Sequence, residues 1–155
     1  MAGYDDLILE ALSRVKEIMP WDLSRSIEAG KSPLLLDVRE PQEFFMLRIP
    51  GSLNVPRGVL EQSCEWDYDE TEPSLASRRN QDIVVICRSG KRYVLAADML
   101  LRMGFEKVVS LKTGVRGWND FEQPIEDAEG KLLDPDLVDE LLAPKLRTDQ
   151  RKPRA

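Results

Sequence analysis

The sequence predicts an α/β fold: a central, mostly parallel sheet with helices on both faces. Two observations carry this. Three apolar runs of strand length, "PLLLDV" (33–38), "IVVIC" (83–87) and "KVVSL" (107–111), are continuous rather than alternating, as strands buried on both faces are. Helix-like segments separate them, and strands that alternate with helices pack as a parallel sheet between helical layers.

Residues 5–19, "DDLILEALSRVKEIM", set Ile8, Leu12, Val15 and Met19 at spacings of three and four, which predicts an amphipathic helix opened by acids. Pro20 interrupts it. "PWDLSRSIEAG" predicts a second short helix, with proline early and Gly30 as its stop. After the strand at 33–38, "EPQEFFMLRIPGS" predicts a helix from Pro41 to Leu47, ended by Pro50-Gly51, and "LNVP" a short strand. Residues 58–80 read as a surface excursion with one helical turn: "EQSCEWDYDETE" holds six acids and no base, with Trp66 and Tyr68 expected to pack over the sheet edge. The strand "IVVIC" follows, then a helix, "KRYVLAADMLLRMG", that stops at Gly104. The strand "KVVSL" leads into a turn and short helix, "TGVRGWNDF". "DPDLVDELL" (134–142) predicts a last helix, with Asp134 as N-cap and Pro135 at its first position.

The chain has 155 residues, enough for one domain with one core. No apolar run reaches the roughly 18–20 residues that cross a bilayer, and the acidic N-terminus lacks the basic region of a signal peptide. Two cysteines make no disulfide framework, so a cytoplasmic location with reduced thiols is expected. A net charge of −6 argues against nucleic-acid binding, although the last dozen residues carry +4 and read as a fraying tail. The sequence contains no histidine. That excludes a Cys-His pair, a histidine general base and a histidine-bound zinc. Neither a metal nor a cofactor is expected.

Cys87 stands where a strand stops and a helix starts, and in parallel sheets that is where ligands bind. Cysteine reacts as thiolate. With no histidine to take the proton, the surroundings must favour the anion. The helix that follows turns its N-terminus back at the loop. Successive N–H groups can form an anion-binding nest, and Arg88, Lys91 and Arg92 add positive charge around Ser89 and Gly90. The bland alternative is an inert core cysteine; the cluster of three cations weighs against it.

"LLLDVREPQEF", "RIPGSLNVP" and "IVVICRSGKRYVLAADMLLRMGFEKVVSLKTGVRGW", in that order, resemble the rhodanese-like domains, sulfurtransferases of the thiosulfate sulfurtransferase type. The resemblance runs from about Ile18 to Ile125. It divides the chain into an N-terminal helix extension (1–17), a domain (18–125, including the 58–80 excursion) and a C-terminal helix with basic tail (126–155). It implies the family's three-layer fold and a catalytic cysteine at Cys87. That cysteine would take a sulfane sulfur from a small anionic donor such as thiosulfate and pass it to cyanide, a thiol or a protein acceptor. Arg88, Ser89, Gly90, Lys91 and Arg92 would cradle the donor, and Asp37 and Arg39 would form a structural corner.

Three positions depart from the family pattern: Arg48 replaces a usual histidine, Thr113 a usual glycine, and Tyr93 a usual Ser or Thr. Cys64 reads as a surface or half-buried thiol, or else as a second thiol that resolves the persulfide. Related phosphatases use Cys-x5-Arg. Here Tyr93 falls at that position, and the loop is Cys-x4-Arg, sized for sulfur rather than a phosphoryl group. The rival from another class is a non-catalytic or sulfur-carrier module that acts through partner binding.

Overall fold

The computed structural model describes residues 2–89 and 91–154. Five parallel strands form one sheet in the order β1-β5-β4-β2-β3: β1 (Lys16–Ile18), β2 (Leu34–Asp37), β3 (Leu53–Asn54), β4 (Asp82–Ile86) and β5 (Lys107–Leu111). Helices cover both faces, as the apolar runs predict.

Strand parity sorts the core into two layers. Leu36, Ile83 and Val85 face one layer, together with Ala11 and Val15 from the N-terminal segment. α1 (Tyr4–Leu12), α4 (Leu60–Ser63), α5 (Pro73–Ala76) and α6 (Arg92–Arg102) cover this side. Leu35, Val84 and Ile86 face the other, with Leu23 of α2 (Pro20–Glu28), Trp118 of α7 (Gly114–Asp120) and Val138 and Leu142 of α8 (Pro135–Leu142). α3 (Pro41–Met46) lies beyond the end of β2.

The first segment differs from its sequence expectation. The helix stops at Leu12, and Lys16–Ile18 pairs instead with β5 as an edge strand, Lys16 opposite Val109 and Ile18 opposite Leu111. The spacing of Val15 and Met19 fits a helix, but an open sheet edge offers the residues between them, Lys16–Ile18, a ladder of backbone hydrogen bonds. The 58–80 segment also differs. It is not wholly a surface excursion, because Leu60, Cys64 and Leu75 are completely buried and two short helices carry them. Trp66 and Tyr68 do not pack over the sheet edge; each is 54% exposed. Cys64 is a core thiol rather than a surface one, and burial pushes its pKa up to about 11. The last helix forms as expected, with the Asp134 carboxylate accepting from the Asp136 N–H at 2.8 Å.

Candidate active site

The site grows from the C-terminal end of β4. Ile83, Val85 and Cys87 share one strand parity, so Cys87 closes the apolar row that faces α6 and is fully buried there. The chain then bends, and α6 begins at Arg92. The N-terminus of α6, the positive end of its dipole, opens onto the loop.

A second element fixes the base of the loop. The Val115 N–H donates to the Cys87 carbonyl at 2.6 Å, and the Arg116 N–H to the Arg88 carbonyl at 3.0 Å. Gly114 makes this approach possible. Its φ is +59°, and a Cβ there would lie 2.5 Å from the Cys87 oxygen and 2.9 Å from the Arg88 carbonyl carbon. Thr113, where the resemblance expects glycine, holds a left-handed φ of +65° and makes a short hydroxyl contact with the Lys112 carbonyl. A β-branched residue is strained in that conformation. Gly117 faces Thr113 with no room for a Cβ.

Tyr93 is buried under the loop, and its hydroxyl accepts the Arg88 N–H at 3.2 Å. Burial pushes the Tyr93 hydroxyl up, and the neighbouring Cys87 adds to the rise, so the group stays a neutral phenol beside the sulfur. A hydroxyl is therefore present at the loop despite the change from Ser or Thr; it arrives from a longer side chain.

The cations divide. Arg88 is turned to α8, its guanidinium donating to the Leu142 carbonyl at 2.7 Å and the Ala143 carbonyl at 3.3 Å. That is a cationic cap on a helix C-terminus, so Arg88 serves the loop through its backbone. Lys91 sits just before α6, with its ammonium 3.7 Å from Asp5. Arg92 begins α6, 3.9 Å from Glu43 and over the Tyr93 ring. Ser89 is exposed. Gly90, expected in the cradle, lies outside the described residues.

Asp37 and Arg39 stand at the end of β2, away from solvent. Arg39 grips the carboxylate through Nη2 at 2.8 Å and Nε at 3.0 Å, and Nη2 also reaches the Leu47 carbonyl at 2.8 Å. Asn54 joins them by donating to the Asp37 and Arg39 carbonyls, both at 3.0 Å. These bonds tie β2, β3 and the end of α3 into one corner. Arg48 donates to the Ala128 carbonyl at 3.2 Å and pairs with Glu126, so it fastens the C-terminal extension. A cavity of about 360 Å³ opens beside the loop between α3 and α8, lined by Glu43, Met46, Arg88, Leu142 and Lys145 among others. Among the described residues no group of three or more His, Cys, Asp or Glu is placed to hold a metal ion.

Sequence reasoning missed Tyr4, Asp5 and Glu43 as neighbours of the loop. Asp5 was legible only as a first-turn acid of a helix, which any helix favours. Nothing in its spacing pointed to Lys91.

Comparison with known proteins accords with this architecture. Residues 19–121 match the rhodanese-like domain family. The chain belongs to the rhodanese-like family of sulfurtransferases and sulfur carriers. A sulfurtransferase of Allochromatium vinosum is 30% identical over 118 residues, covering 75% of this chain and 99% of its own. A Bacillus subtilis protein whose name proposes a sulfur carrier, YrkF, is 31% identical over 109 residues, covering 70% of this chain. This chain spans about half of that relative's length, 54%. Among solved structures, the Rhodopseudomonas palustris protein RPA3614, described as of unknown function and a possible tyrosine phosphatase, superposes with a TM-score of 0.73 at 28% identity. The match covers 81% of this chain and 96% of that one. No helix among the described residues is long and apolar enough to cross a membrane.

Proposed function

We propose that the protein moves a sulfane sulfur through a persulfide on Cys87, with thiosulfate or a similar small anion as donor and cyanide or a thiol as acceptor. The observation that carries this is the position of Cys87 between the end of β4 and the N-terminus of α6, its backbone held by α7 and a neutral Tyr93 hydroxyl beside it. The Cys87 thiolate attacks the outer sulfur of thiosulfate. A new S–S bond forms, the bond to the sulfonate sulfur breaks, and sulfite leaves with the electron pair. The acceptor then attacks the outer sulfur of the persulfide. For cyanide the product is thiocyanate, and Cys87 returns as thiolate. Both anionic states of the sulfur draw on the same N–H groups and helix dipole. Arg92 and Lys91 supply charge at the rim; Ser89 and Gly90 complete the loop. Asp37 and Arg39 act as scaffold. A reducing compartment such as the cytoplasm suits this chemistry, because the thiol must stay available between turnovers.

Intact mass tests the proposal. Thiosulfate should add one sulfur atom, cyanide should remove it, and Cys87→Ser should abolish the adduct while Cys64→Ser retains it. An adduct that maps to Cys64 overturns the assignment. The relative named for sulfur carriage, in which this domain is only part of a longer chain, favours a second reading: a module that accepts sulfur and hands it to a protein partner. Such a module would load a persulfide yet turn over poorly with cyanide. The phosphatase description attached to RPA3614 supplies a third outcome. The Cys-x4-Arg loop predicts negligible hydrolysis of an aryl phosphate.

A further inference from the structure

The loop has a neighbour that the family match does not include. α1 lies outside residues 19–121, yet it packs along α6 and reaches the loop. Two anchors set its direction. Arg14, just past α1, grips Asp98 of α6 through Nε at 2.7 Å and Nη2 at 2.8 Å, and Ile8 and Ala11 are buried. At the other end Asp5 stands 3.7 Å from Lys91, immediately before α6. The two helices therefore run side by side in the same direction, and both N-termini open at the loop. Asp5 and Lys91 are exposed, at 81% and 66%, so their pairing adds little to stability. Its effect is on the charge met by whatever approaches the loop. Tyr4 belongs to the same mouth. Burial pushes its hydroxyl up, with Arg92 pulling the other way and Cys87 and Asp5 adding to the rise.

We propose that α1 forms one wall of the reaction mouth and that Asp5, by pairing with Lys91, is a specificity residue that weakens the pull of the loop on multiply charged anions relative to neutral or singly charged sulfur compounds. Arg88 is engaged with α8 and Arg92 stands near Glu43, so Lys91 is the loop cation whose charge an extension residue moderates. The pairing thus reduces the advantage that a dianion such as thiosulfate holds at the loop over a persulfide or other low-charge sulfane carrier. This rests on the sulfur-transfer reading for its meaning but not for its test.

The test compares alkylation of Cys87 by iodoacetate, an anion, with alkylation by neutral iodoacetamide, mapped by peptide mass. Asp5→Asn should raise the iodoacetate-to-iodoacetamide rate ratio by roughly two- to fourfold at low salt, the size expected of one screened charge, and the gain should shrink at high salt. Lys91→Met should lower the ratio, and in that background Asp5→Asn should change it less. A ratio unmoved by Asp5→Asn, or a full gain in the Lys91→Met background, overturns the proposal. Because the probe is an alkylating agent, a wild-type protein that forms no persulfide would refute the sulfur-transfer reading and leave this measurement intact.

Discussion

Gly114→Ala offers a quantitative check on how the loop is held. Two costs combine at this position. Alanine at a φ of +59° is in the left-handed region, which costs about 1–2 kcal/mol. The new methyl would also lie 2.5 Å from the Cys87 oxygen, 2.8 Å from its carbon and 2.9 Å from the Arg88 carbonyl carbon. All three are backbone atoms and cannot swing aside, so the overlap should cost a further ~1–3 kcal/mol. A total of about 2–5 kcal/mol lowers the melting temperature of a chain this size by roughly 5–15 °C. Gly51→Ala isolates the contact contribution. Its φ is +81°, but a Cβ there meets nothing within 4 Å, so only the backbone cost of about 1–2 kcal/mol remains. The assay is urea denaturation of both variants beside persulfide loading by intact mass. Relief of the overlap must lengthen the 2.6 Å bond from Val115 to Cys87 and shift the loop. Loading should therefore fall in Gly114→Ala and persist in Gly51→Ala. Equal stability of the two variants, with loading intact in both, would refute the claim that α7 fixes the loop by close backbone approach.

Thr113→Gly should stabilise the fold by roughly 0.5–1 kcal/mol, because relief of the left-handed strain exceeds the added freedom of the unfolded chain; a denaturant midpoint that falls contradicts this. Tyr93→Phe removes the acceptor for the Arg88 N–H, and it should cost about 1–3 kcal/mol, read from urea denaturation; an unchanged midpoint contradicts this. Cys64 has its folded pKa raised to about 11 from an ordinary 9.0, so the unfolded chain releases this proton first as pH rises. The Cys64 contribution is intact below about pH 9 and is lost between there and about pH 11, by a kcal/mol or two, and Cys64→Ala should flatten that part of a stability–pH curve.

Much of the sheet was legible because buried parallel strands leave uninterrupted apolar runs, and β2, β4 and β5 have them. β1 was not, since three residues at an edge produce no run, and Val15 and Met19 fall by coincidence at helical spacing. The burial of Cys64 was hidden by its acidic neighbours, whose charges face water while Leu60, Ser63 and Cys64 turn inward. At the site, the close approach of Gly114 to the Cys87 backbone is a tertiary contact that no local pattern announces, while Cys87 at a strand end follows from local sequence and the Asp37–Arg39 corner from the family resemblance. The destinations of the cations follow from neither. Arg88 meets carbonyls 54 and 55 positions away and Lys91 meets an acid from the first helix; such pairings are decided by tertiary geometry alone.

The place of β1 in the sheet bears on how the chain is made. β1 pairs only with β5, Lys16 opposite Val109, so its one partner is the last strand to be synthesised. At the usual 5–20 residues per second, β1 waits roughly 5–20 s for that partner. β2, β3 and β4 can associate earlier, but β1 joins the sheet only after β5 has docked beside β4. A ribosome-stalled chain ending before Lys107 should therefore hold a partial sheet with its first segment still accessible to proteases.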